Sequence, residues 1–171
     1  LLIEAGVPDG VVNLVTAVVA SSVIKVFEHS IAELVALAVL MPIVSSLGGN
    51  AGTQALAVAV RAIASRDLTE SNAARYVLRE TLTAVSNGII FALVLAAVVM
   101  IWFGNGLLAL AIALAVVITF ACGGLAGILV PLTLRRLGAD PAVSSSVFVT
   151  FVTDLIGFLA FLGLATVILL R

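Results

Sequence analysis

Residues 141–170 are apolar over a length that can cross a bilayer, and one charged side chain, Asp154, sits in their middle. No Lys or Arg lies in that run to pair with it. An ionised group at mid-bilayer costs about 2.5–3.5 kcal/mol on insertion scales, so it faces a water-filled path or a partner. The fold must therefore give this carboxylate a polar surrounding inside an apolar helix.

The rest of the chain is of the same kind. It is 63% hydrophobic and 10% charged, with a mean hydropathy of +1.36. Soluble domains run near 45–50% and 25%, so the composition indicates an integral membrane protein. The apolar runs reach helix length and lack the strict alternation of barrel strands, which makes the fold all-α. A net charge of −1 offers no surface for nucleic acid. The lone Cys122 has no cysteine in the chain to pair with. The first segment lacks a basic leader and a small-residue cleavage site, so it does not read as a signal peptide.

A spanning helix needs about 20 apolar residues. Five segments qualify, at about 11–27, 31–64, 74–103, 107–134 and 141–170, in a single transmembrane domain over 1–171. Pro8-Asp9-Gly10 reads as a turn before the first. The second is long for one span and holds Pro42, Gly48, Gly49 and Gly52, so a kink or local unwinding is expected there. Gly104-Asn105-Gly106 and Gly138-Ala139-Asp140-Pro141 are turns. In the fourth segment Gly123 and Gly127, four apart, permit close helix approach, and Pro131 predicts a bend. No internal repeat is evident, and five spans do not divide into two equal halves, which argues against a transporter built from two inverted repeats.

The arginines set the orientation. Arg61, Arg66, Arg75 and Arg79 lie between segments two and three, and Arg135 and Arg136 between four and five. The turn at Asn105 has no basic residue, and Lys25 is offset by Glu28 and Glu33 beside His29. The positive-inside rule then places the N-terminus in the cytoplasm and the C-terminus outside, in a multi-pass protein of the cell (inner) membrane.

Two polar stripes follow helical spacing. Ser146, Thr150 and Asp154 are four apart and share one face, with Thr153 and Gly157 alongside. Ser46, Asn50 and Gln54 do the same in segment two, among glycines whose backbone can approach closely or expose carbonyl oxygens, Gly49 included. Amides are costly in lipid unless bonded. Neutral oxygens around one carboxylate suit a hard cation, and no His stands in these stripes to favour a soft metal. Magnesium keeps several waters when bound, so Asn, Gln, Ser, Thr and carbonyl groups would hold a hydrated ion with Asp154 as its charge anchor. Manganese, calcium or cobalt ions could use the same donors. One carboxylate is thin for a divalent ion, and an isologous dimer would bring two copies of Asp154 to a shared axis.

Several stretches now carry a resemblance. Pro42 through Gly48-Gly49-Asn50-Ala51-Gly52-Thr53-Gln54, then Arg61-Ala62-Ile63-Ala64, Arg135-Arg136-Leu137-Gly138-Ala139-Asp140-Pro141-Ala142 and Thr153-Asp154-Leu155-Ile156-Gly157-Phe158 resemble the membrane domain of the MgtE family of magnesium channels. The resemblance implies five membrane helices, a homodimer and a cation pore between protomers lined by helices two and five. It implies that Asp154 anchors the magnesium site and that Asn50 helps recognise the hydrated ion. Ser146 and Thr150 stand where some members carry Asn and Ala. Many members carry cytoplasmic magnesium-sensing domains upstream, which are not expected in these residues. The expected activity is passive, magnesium-selective conduction through the lipid bilayer. An ion-coupled carrier of divalent cations is the alternative, separable by single-channel currents against slow, pH-coupled flux. An intramembrane enzyme is not expected, since an aspartyl dyad needs two neighbouring carboxylates.

Overall fold

A computed structural model of the chain describes residues 2–69, 71–138 and 140–170, and the side chains of these except 2–9 and 141–144. All elements among the described residues are helices: α1 Leu2–Val26, α2 Glu28–Glu33, α3 Ala36–Ala64, α4 Ala73–Phe103, α5 Gly106–Arg136 and α6 Pro141–Leu169. Four of these hold a segment long and apolar enough to cross a membrane: α3, α4, α5 and, within α6, Ser145–Leu169. Gly10–Val26 of α1 is a shorter apolar stretch.

The helices stack around α5, which packs against α3, α4 and α6, while α3 also packs on α6 and α1 lies against α6. Lipid tails are as apolar as leucine, so burial alone does not drive such helices together, and close packing of small residues does. The chain supplies them in register. A side-chain carbon on Gly123 would stand 3.1 Å from the Gly52 nitrogen and 3.2 Å from the Gly48 oxygen. One on Gly127 would stand 2.7 Å from the Gly52 oxygen and 2.8 Å from the Leu56 nitrogen. The α3 and α5 backbones thus touch where side chains would ordinarily hold them apart. Leu37, Leu40, Val44, Ile112, Val116, Phe161 and Leu162 fill the same core away from the glycines.

The hairpin from α4 to α5 is tight because its chemistry is local. Gly104 takes the left-handed conformation, φ 62°, that ends α4. Asn105 then caps α5, its side-chain oxygen accepting from the backbone nitrogens of Leu107 and Leu108 at 3.0 Å each. Phe91 of α4 stacks on Phe120 of α5 with ring centres 5.6 Å apart. At the opposite end, Asn72 ties the α3–α4 loop by donating to the Asp67 carbonyl at 2.7 Å.

Two local expectations are corrected. Pro8-Asp9-Gly10 is not a turn, and α1 runs through it. One proline removes one backbone bond, and the neighbouring turns carry the helix past it. The glycines of α3 do not unwind. The helix runs unbroken from Ala36 to Ala64, through Pro42, with Gly48 and Gly52 used for close contact with α5 and α6 rather than for freeing carbonyls. The break in this stretch falls earlier, at Leu34, whose φ of −135° and ψ of 88° separate α2 from α3.

Candidate ion site

Asp154 is half-buried on α6. The Ser45 hydroxyl of α3 donates to its Oδ1 at 2.5 Å. Among the described residues no cationic side chain reaches it. The carboxylate therefore lies in the body of a spanning helix, steadied among the described residues by one neutral donor.

The neighbours on α6 divide by burial. Thr153 is fully buried and bonds back to its own helix, its Oγ1 2.9 Å from the Thr150 carbonyl. Its methyl would meet a side-chain carbon placed on Gly52 at 3.1 Å, so Thr153 is part of the packing seam. Thr150 is half-buried and Ser146 exposed, on the stripe that leads to Asp154.

On α3 the expected stripe is present and turned outward. Ser46, Asn50 and Gln54 are all exposed on this single chain. Gly49, one turn below Ser45, borders open space, since a side-chain carbon there would meet nothing within 4 Å. Its carbonyl accepts from Thr53 Oγ1 at 2.9 Å, and that of Asn50 lies 3.1 Å from the same hydroxyl. The structure thus joins α3 to Asp154 through Ser45, and sets Ser46, Asn50 and Gln54 on an adjoining open face.

Two features escaped the sequence reading. Ser45 was passed over for Ser46, although Ser45, Gly49 and Thr53 repeat at the same spacing of four. Glu80, on the second turn of α4, is a second half-buried carboxylate within an apolar helix. It lines a crevice of about 200 Å³ with Gln54, Thr83 and Asn87. Among the described residues no group of three or more His, Cys, Asp or Glu converges to hold a metal. A cation here would be met by one carboxylate and neutral oxygens.

Residues 41–164 match the family model MgtE, described as a divalent cation transporter. The chain belongs to the MgtE family. The match includes Ser45, Asp154 and every polar residue placed around them above. The chain is 34% identical over 153 residues to the magnesium transporter MgtE of Bacillus subtilis, covering 90% of this chain and 34% of that protein. It is 38% identical over 146 residues to the magnesium transporter MgtE of Enterococcus faecalis, covering 85% of this chain and 32% of that protein. It is 33% identical over 159 residues to the magnesium transporter MgtE of Thermus thermophilus, covering 93% of this chain and 35% of that protein. The chain thus spans about a third of the length of these MgtE relatives.

Proposed function

We propose that this chain is the ion-conducting part of a magnesium transporter. It would carry hydrated Mg2+ through a path lined by α3 and α6, with Asp154 as the charge that selects a cation. The observation that carries this reading is the Asp154 carboxylate, held in a spanning helix, among the described residues, by the Ser45 hydroxyl. A structural carboxylate would be closed off by a positive partner or by several donors. One left half-open beside the open space at Gly49 is arranged to meet water and a cation. Its family and the names of its relatives agree with that cargo.

The path is completed by a second copy of the chain. Exposed Ser46 and Asn50 would otherwise face lipid, where an unbonded amide costs several kcal/mol, about 4–8 on a water-to-hydrocarbon scale. A two-fold dimer joined along α3 and α6 turns these groups inward and sets two Asp154 side chains across one axis, matching the charge of a divalent ion. Asn50, Gln54, Ser46, Ser146, Thr150 and the backbone at Gly49 then bond the ion's waters and not the ion itself, because magnesium sheds water reluctantly. α1 supplies the fifth span, its 25 residues rising about 37 Å against a core of about 30 Å. The arginine-rich end lies in the cytoplasm of a cell-membrane protein. An inside-negative potential gives about 2.3 kcal/mol per charge per 100 mV, so inward flow of a divalent ion needs no coupling.

The test is flux into liposomes holding only this chain, with magnesium, manganese, calcium and sodium compared, alongside single-channel recording. Magnesium-selective unitary currents support the reading. Slow, saturable, pH-coupled flux replaces the channel with a carrier, and no flux of any divalent ion contradicts both.

A further inference from the structure

α4 and α5 leave an open groove at the arginine-rich end of the bundle, with a volume of about 480 Å³. Val77, Leu78, Leu125 and Leu129 line its length, and Arg136 stands at its end. A second hollow of about 290 Å³ adjoins it, sharing Ala73, Leu132 and Arg136, with Arg135 and Thr69 in its wall. The hydroxyls along the groove offer a ligand little. Thr133 Oγ1 donates to the Leu129 carbonyl at 2.7 Å. Thr81 Oγ1 is buried from the surface and has no hydrogen-bond partner among the described residues. The groove is therefore apolar along its length and cationic at its mouth.

We propose that this groove binds an anionic phospholipid, with an acyl chain along the α4–α5 seam and the phosphate at Arg135 and Arg136. The dimensions agree. From Leu125 to Arg136 the helix rises 11 residues, about 16 Å, which is the depth of one leaflet of a core about 30 Å thick. The chemistry agrees as well, since a guanidinium offers a planar fork of donors that matches phosphate oxygens. Charge favours an anion, since in sequence the stretches 61–80 and 135–140 hold six arginines against four carboxylates. Basic pockets between membrane helices at the cytoplasmic side are the usual geometry for lipid headgroups. The binding stands apart from Asp154, because neither hollow is lined by residues of α6.

The test is native mass spectrometry of the purified chain, released from detergent after exposure to phosphatidylglycerol or phosphatidylcholine. Phosphatidylglycerol adducts should be retained at least fivefold more than phosphatidylcholine. Arg135→Gln with Arg136→Gln should cut that retention by at least tenfold, from about fivefold per arginine near a charged surface. Arg61→Gln, at the same end and outside both hollows, should leave it unchanged. Leu129→Trp should cut retention by filling the groove with both arginines intact. Equal retention of the two lipids, an equal loss in Arg61→Gln, or displacement of the lipid by millimolar inorganic phosphate would each overturn the proposal. If the double variant does not fold, Arg135→Gln alone is read, with about fivefold loss expected and none contradicting it.

Discussion

Ser45 Oγ and Asp154 Oδ1 lie 2.5 Å apart, joining α3 to α6 between residues 109 positions apart in sequence. A hydrogen bond to a charged group contributes about 1.5–3 kcal/mol net. It also fixes which way the carboxylate faces.

Ser45→Ala should therefore reduce magnesium flux several-fold while leaving the chain inserted, and Ser45→Thr should restore most of it. The check is flux in liposomes at matched protein content. Full flux in Ser45→Ala would mean that the serine only fills space.

The glycines divide into two kinds, and substitution should separate them. Gly127→Ala places a carbon 2.6 Å from the Ala55 Cβ and 2.7 Å from the Gly52 oxygen, so α3 and α5 must move apart. Overpacking of this kind costs about 1–3 kcal/mol. Gly49→Ala meets nothing within 4 Å and should be neutral or stabilising by up to about 1 kcal/mol, the helix propensity gained. Thermal unfolding in detergent, followed by circular dichroism, measures both. Equal effects would contradict the assignment of Gly127 to the seam.

On the proposed path, the polar face of α3 would carry the discrimination between ions. Asn50→Ala should lower the preference for magnesium over calcium by about tenfold, roughly the 1.4 kcal/mol of one lost hydrogen bond to the ion's water shell. Reversal-potential or competitive-flux measurements report it. Unchanged selectivity would remove Asn50 from the path.

The proposed second copy can be tested at position 46 on α3 and at 146 and 150 on α6. Cysteines placed singly at 46, 146 or 150, with Cys122→Ser as background, should crosslink to their two-fold mates in native lipid. Persistent monomers at all three positions would contradict a shared axis.

Asp154 was legible from the sequence because an ionised group in an apolar run has few places to go. The close approach at Gly123 and Gly127 was legible from their spacing. The rotation of α3 was not. A spacing of four tells which residues share a face, and it cannot say which face meets α6. That is set by Gly48 and Gly52 docking on Gly123 and Gly127, a contact between segments more than seventy residues apart. With that seam made, Ser45 and not Ser46 points at Asp154, one residue and about 100° around the helix. The same contact explains why α3 keeps its helix where unwinding was expected. Glu80 is not singled out by the sequence, where it stands beside Arg79 near the start of an apolar run and shares no polar stripe with Asp154.

The most direct measurement is magnesium flux through Asp154→Asn, which keeps the size and the bond from Ser45 while removing the charge. Insertion should be normal and uptake into liposomes should fall to the level of empty vesicles. Uptake near that of the unsubstituted chain would contradict the account at its centre.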